Sequence, residues 1–446
     1  MRCPSHPVVV IVAVVCAFAA GCSRQINMMP TPVVFQGGRV NLFDSVPADK
    51  QRNTLEVLYA TERAPRGPTT DREYTNSVSG SLRVGEATVR FGDDKTNWQQ
   101  LVDASLAEKR AKQIHLQLVQ AREVGEISPS PRAGGANPSG LTPAEQAFAD
   151  RINDALAQTA EPQVCIYVHG FRVDFEEGMA VAAQLRHFLG RRQVVIAYAW
   201  PCRQGLLDYT GDVERAIDSG PNLARLMEFL AAHTKAKQIN LLGYSAGATL
   251  VVEGLANLRE RYSDLNEEQL REKLRVGNVV LAAADIGLKS FVKEHLDRIA
   301  DVPRYIEITM SSSDQALKMA SRLRGGGSRI GRANVKELTE QQIEEVSKVT
   351  KLYALDVTSV KGPHSEPGGI GGHGYWYVNS WVSSDVLTTL IWQLPPDQRG
   401  LVRVPGKRSW TFPPDYPDRV HGFVTEKVQD LRQKLDARAA GDAAGQ

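Results

Sequence analysis

The chain has 446 residues, 42% of them hydrophobic and 23% charged, with a formal net charge of +2 from 53 basic and 51 acidic side chains. That composition is globular and long enough to bury a large core. The near-balance of charge, with no basic run interleaved with aromatics, excludes the electrostatic footprint of a nucleic-acid binder.

The first element is an apolar run over residues 8–20, preceded by Arg2 and followed by Gly21, Cys22 and Ser23. A basic start, a short apolar stretch and small residues at its end read as a secretory signal. The run is too short for a comfortable membrane span. Ala19-Ala20-Gly21-Cys22 resembles a bacterial lipobox, with Ala19 where Leu is usual. In that pattern the cysteine is lipidated and becomes the first mature residue. The expected layout is a signal over 1–21, a lipidated Cys22, and a Pro- and Gly-containing tether over 22–50. The partner implied is a membrane, held through an N-terminal lipid anchor. Ser23 rather than Asp after the cysteine resembles sorting to the outer membrane, so the expected location is that membrane, facing the periplasm. Cys3 and Cys16 leave with the signal, and Cys165 and Cys202 are expected as buried thiols rather than a bridge.

Residues 55–60 and 82–91 read as strands. Residues 99–123 look helical without strong amphipathicity, and 125–140 are rich in Pro, Gly and Ser. Thr142-Pro143-Ala144-Glu145 is a capping box with Pro at the first helical position. It opens a helix whose apolar face is Phe148, Ile152 and Leu156. Residues 95–160 are thus expected to be a helical insertion with a flexible loop.

The rhythm then becomes strand, helix, strand, helix. Apolar runs at 164–168, 194–200, 239–243, 276–284, 305–310 and 352–357 alternate with helical patterns such as Leu223, Leu226, Met227 and Leu230. Solid apolar strands between amphipathic helices imply a mostly parallel central sheet with helices on both faces, an α/β fold. The main domain is expected over 51–400, with 401–446 a C-terminal extension ending in a helix that frays into a polar tail.

Gly243-Tyr244-Ser245-Ala246-Gly247 matches G-x-S-x-G between a strand and a helix. A tight turn there lifts the serine hydroxyl clear of the sheet, so Ser245 is the expected nucleophile. Its hydroxyl needs a base, and the expected chain order is serine, acid, histidine. His373, between glycines in Gly372-His373-Gly374, is the expected base, and His364 is the rival. His295 and His421 are expected at the surface. The acid that holds the imidazole is expected to be Asp314, after the strand at 305–310. Asp285, after the preceding strand, competes for the role and reads otherwise as a helix cap. Two backbone donors must meet the developing oxyanion. The N–H groups of Ala246 and of Phe171, in His169-Gly170-Phe171, are the expected pair, with the His169 side chain bracing the loop. Trp200, Tyr209, Tyr375, Trp376 and Tyr377 are candidates for a pocket lining or for core. Gly325-Gly-Gly-Ser-Arg-Ile-Gly-Arg332 reads as a flexible loop, with anion binding as the other reading. No His/Cys/Asp cluster has ligand spacing, so neither a metal nor a cofactor is expected.

Six segments come in one order: Tyr167-Val-His-Gly-Phe171, Tyr198-Ala-Trp-Pro201, the serine turn, Ala282-Ala-Ala-Asp285, Ser311-Ser-Ser-Asp-Gln-Ala-Leu317 and Gly372-His-Gly-Tyr375. Together they resemble a bacterial branch of the α/β-hydrolase superfamily known as a domain of unknown function. Leu55-Glu-Val-Leu-Tyr-Ala-Thr-Glu-Arg63 resembles its opening strand. The resemblance runs from about residue 52 to 395 and is loosest over 95–160. It implies the fold and a hydrolytic triad of Ser245, Asp314 and His373, and no particular substrate. Tyr244 and Ala246 stand where His and Met are commoner in the family, an exchange expected to alter pocket shape more than mechanism. The expected activity is hydrolysis of a small-molecule ester or lipid-like substrate through an acyl-enzyme. The same site suits amide hydrolysis or acyl transfer, and the rival from another class is a non-catalytic envelope lipoprotein that uses the fold as a scaffold.

Overall fold

A computed structural model describes residues 26–129, 140–159, 161–205, 208–360 and 370–444. The apolar run, Cys22 and His364 lie outside the described residues. Among the described residues twelve strands form one sheet: β1 (Ile26–Asn27), β2 (Thr54–Arg66), β3 (Glu73–Phe91), β4 (His115–Ile127), β5 (Gln163–Val168), β6 (Val194–Ala199), β7 (Gln238–Tyr244), β8 (Val276–Ala282), β9 (Tyr305–Met310), β10 (Leu352–Asp356), β11 (Val402–Arg403) and β12 (Trp410–Thr411). Their order is β1-β4-β3-β2-β6-β5-β7-β8-β9-β10-β12-β11.

The stretch from β2 through β6, β5, β7, β8, β9 and β10 to β12 is parallel, and β1, β3, β4 and β11 pair antiparallel. Strands β5, β6 and β8 are buried along their whole length, as expected of parallel strands covered on both faces. Two large apolar clusters occupy the two faces, one containing Cys165, Tyr167 and Leu242, the other Val164, Ile166, Val168 and Leu241. Cys165 and Cys202 fall in different clusters and are both free thiols. The chain winds from β5 to β6 in one direction, then crosses back over β5 to lay down β7 and continues to β8. The winding therefore reverses between β5 and β7. A crevice outside the carboxyl ends of the strands at such a reversal is where sheets of this kind bind ligands.

Four expectations are corrected. Residues 26–50 are not a free tether: Met28, Val34 and Phe35 are buried, Met29 N–H donates to Gln184 Oε1 at 2.7 Å, and Val34 N–H donates to Ser384 Oγ at 3.1 Å. The segment packs without any regular period, so its burial left no pattern in the sequence. The region 99–123 is helical only over Trp98–Leu106; the chain then forms β4, paired with ten residues of β3. The insertion expected over 95–160 is thus partly an integral strand. The buried residues of β4 are split between the two clusters, Leu116 and Ala121 in one and Ile127 in the other, and its alternation is broken by register shifts near Val84 and Thr88, which blurs the period-2 signal. Likewise, residues 401–424 are no appendage: Leu401, Trp410, Phe412, Tyr416, Val420 and Val424 are buried in the first of the two clusters, and the final helix runs Tyr416–Ala444. His421, expected at the surface, is 9% exposed. Among the described residues, no helix is long and apolar enough to cross a membrane.

Candidate active site

Ser245 stands between β7 and the helix Ala246–Arg261, with φ 55° and ψ −121°. That backbone is strained for any residue with a Cβ, and hydrogen bonds hold it on both sides. Ser245 N–H donates to Ala282 O at 2.9 Å, while Ser245 O accepts from Ala248 N–H at 3.1 Å and Asp285 N–H at 3.2 Å. Gly247 is required by packing as well as by the turn. A Cβ there would stand 2.3 Å from His169 O and 2.6 Å from Val168 O, so the first helical turn sits against the loop after β5. The same loop touches the serine itself, since a Cβ on Gly170 would lie 3.0 Å from Ser245 Cβ.

Three side chains from distant parts of the chain meet in one line of hydrogen bonds. Ser245 Oγ lies 2.7 Å from His373 Nε2, and His373 Nδ1 lies 2.7 Å from Asp314 Oδ2. Arrangement of the protons follows from the partners: a carboxylate only accepts, so Nδ1 carries the hydrogen and Nε2 accepts from the serine hydroxyl. Asp314 is fully buried, Ser245 is 8% exposed, and the His373 side chain is 14% exposed.

Each partner is held by its own element. Asp314 is the N-cap of the helix Gln315–Leu323, and its Oδ1 accepts from Leu317 N–H at 2.9 Å. The cap fixes one carboxylate oxygen, leaving the other aimed at the imidazole. His373 follows Gly371 and Gly372, at φ 63° and 81°, where the left-handed backbone turns the chain back over the sheet. Just beyond it, Tyr375 OH donates to Thr309 O at 2.9 Å and Trp376 packs on Tyr167. These two aromatics anchor the histidine loop to β9 and β5. Of the other candidates, Trp200 is a core residue stacked on the His169 ring at 5.4 Å.

Asp285 is engaged elsewhere. Its Oδ2 accepts from Tyr209 OH, and its Oδ1 pairs with Arg329 Nε at 3.2 Å. Tyr209 in turn meets Phe171 edge-on at 5.4 Å. This buried network braces the wall beside the serine rather than the imidazole.

Ala246 is the first residue of its helix, so its N–H is one of the groups that no intrahelical carbonyl can satisfy. Phe171 follows Gly170 in the loop that touches Ser245. A brace that the sequence reading did not assign lies beneath this loop. Arg63, at the end of β2, is wholly buried and donates to Val173 O at 2.7 Å and to Asn76 Oδ1, with His169 Nε2 at 3.4 Å. An arginine only donates, so His169 Nε2 accepts and Nδ1 donates to Gly170 O at 2.8 Å. Burial, helped by the Arg63 charge, pushes the His169 pKa down to about 3. The imidazole is therefore neutral and structural. The one sequence signal was Thr61-Glu62-Arg63, a polar run at the end of an apolar strand.

A mostly parallel sheet, a strained serine turn at its winding reversal, and a histidine and carboxylate delivered by later loops define an α/β-hydrolase. The chain belongs to the family described as "Alpha/beta hydrolase of unknown function (DUF900)", whose match covers residues 144–387, more than half its length. Solved structures similar to it include a lipase-esterase related protein from Clostridium acetobutylicum, at 12% identity over 52% of this chain and 95% of that one, TM-score 0.26. Another is a cutinase from Trichoderma reesei in complex with a phosphonate inhibitor, at 14% identity over 46% of this chain and 86% of that one, TM-score 0.23. No curated protein matches the chain. The protein is a hydrolase by family.

Proposed function

We propose that this hydrolase cleaves carboxylic esters through an acyl-enzyme on Ser245. The observation that carries the reading is the unbroken line from Ser245 Oγ through both nitrogens of His373 to Asp314, with 2.7 Å at each step. Ser245 Oγ attacks the ester carbonyl as His373 Nε2 takes its proton. Asp314 keeps the proton on Nδ1 and stabilises the imidazolium. The N–H groups of Ala246 and Phe171 receive the developing oxyanion. Collapse breaks the bond to the alcohol, which leaves with the proton from His373. Water, activated by the same imidazole, then releases the acid and restores the serine.

The test is covalent labelling with a fluorophosphonate. The wild-type chain labels with one equivalent, and Ser245→Ala labels not at all while keeping its melting temperature. Full labelling of Ser245→Ala removes the assignment. The membrane anchor is a second proposal, resting on the lipobox-like Ala19-Ala20-Gly21-Cys22. Acyl chains on Cys22 would hold the enzyme on the outer membrane, because several chains anchor stably where one does so only marginally. Cys22→Ser then moves activity out of the membrane fraction or blocks processing. An unmodified mature N-terminus at any other residue, read by mass spectrometry, rejects the anchor.

A further inference from the structure

The helix that Asp314 caps has a second face. Leu317 and Ala320 are buried, and Ala320 packs with Tyr209, Val213 and Phe171 beside the serine. On the other side, Met319 and Leu323, four residues apart, are 61% and 59% exposed. Lys318 and Arg322, also four apart, run alongside them and are exposed too. Residues 315–336 contain Lys318, Arg322, Arg324, Arg329, Arg332 and Lys336 and no acidic residue. Among the described residues, only Arg329 of these is in an ion pair, with Asp285. A chain that is nearly neutral overall thus carries a local cationic segment around an exposed apolar stripe, on the element that supplies the Asp314 carboxylate.

We infer that this face, Lys318, Met319, Arg322 and Leu323 with Arg324 beside them, docks on an anionic phospholipid surface. Cations beside two large apolar side chains on one helix are what such an interface binds: the charges sit among the headgroups and the apolar stripe enters the acyl boundary. A soluble polyanion needs the charges alone and leaves two well-exposed hydrophobic side chains without a role. Docking would bring the winding reversal, with Ser245 and Phe171, to about one helix diameter from the lipid, because the buried side of the same helix packs on Phe171. The inference does not depend on the esterase reading, since binding is measured without turnover.

The experiment is vesicle flotation of the chain without residues 1–21 and carrying Cys22→Ser, so that neither the apolar run nor an acyl group contributes in any protein compared. Vesicles of pure phosphatidylcholine are set against vesicles containing phosphatidylglycerol. Preference for the anionic vesicles is expected, and Lys318→Glu/Arg322→Glu should lower partitioning to them by at least about thirtyfold, the usual contribution of two surface cations before any repulsion from the new carboxylates. Met319→Ser/Leu323→Ser should lower it about tenfold or more. Leu323→Trp should add a blue-shifted emission component on anionic vesicles. Unchanged melting temperatures in the variants show that the fold is kept. Equal partitioning to both vesicle types, or undiminished binding by the charge-reversed variant, overturns the inference. Binding that is displaced by dextran sulfate and unaffected by Met319→Ser/Leu323→Ser overturns it as well, and assigns the face to a soluble polyanion.

Discussion

Two aspartates follow neighbouring strands and are almost equally buried, yet they are wired to different things. Asp314, after β9, gives one oxygen to a helix cap and the other to His373. Asp285, after β8, gives its oxygens to Tyr209 and Arg329. A carboxylate already paired with a buried guanidinium has its charge answered locally and has little to offer an imidazole. A carboxylate held only by a backbone N–H keeps its charge available to the histidine. Burial and position after a strand, which both share, do not distinguish them; the second partner does.

The sharpest way to break this comparison is to neutralise each acid in turn. Asp314→Asn should lower kcat for a soluble ester by about 10⁴, the cost of leaving the histidine in the wrong tautomer in a comparable triad. Steady-state kinetics on the folded variant measures it, and an Asp285→Asn effect of that size with Asp314→Asn nearly silent would transfer the role. Next in size, Asp285→Asn should cost stability more than rate. It leaves Arg329 buried without its counter-ion, a loss of about 3–5 kcal/mol in unfolding free energy, read by denaturant titration. Its kcat should stay within about tenfold of wild type, because no atom of Asp285 touches the imidazole.

The smallest effect extends the comparison to the histidines. His373 faces a carboxylate, whereas His169 faces Arg63. With His169 pushed down from 6.5 to about 3, the unfolded chain binds a proton that the folded one refuses. The term is absent above about pH 6.5 and destabilises the fold progressively as pH falls toward 3. Thermal melts should therefore show a falling midpoint over that window, with a shallower slope in a folded His169→Gln variant. His187, also pushed well below its ordinary value by burial, contributes with the same sign and remains in the variant.

Much of this was legible from residues alone, for physical reasons. Strands β5 to β9 are covered on both faces, so each reads as a solid apolar run. The serine turn carries a fixed spacing because the loop after β5 leaves no room for a Cβ at Gly247. The two aspartates were separable only by chain order, since the partners that distinguish them, Tyr209 and Arg329, lie 76 residues before Asp285 and, well beyond it, in the loop after the helix Gln315–Leu323. Residues 26–50 bury Met28, Val34 and Phe35 through irregular contacts with the helices Phe175–Phe188 and Ser380–Trp392, and irregular burial has no period to read. Arg63 was hidden in the same way: a buried cation satisfied by carbonyls and a neutral imidazole leaves no charge pattern.

The central claim is that Ser245 carries the acyl group during turnover. Rapid acid quenching of the enzyme with a chromogenic ester, followed by peptide mass mapping, tests it most directly. An acyl adduct on the peptide containing Ser245, approaching one equivalent and rising with the burst of released alcohol, is the predicted result. Turnover at full rate with the Ser245 peptide unmodified, or with the acyl group on another residue, would contradict it.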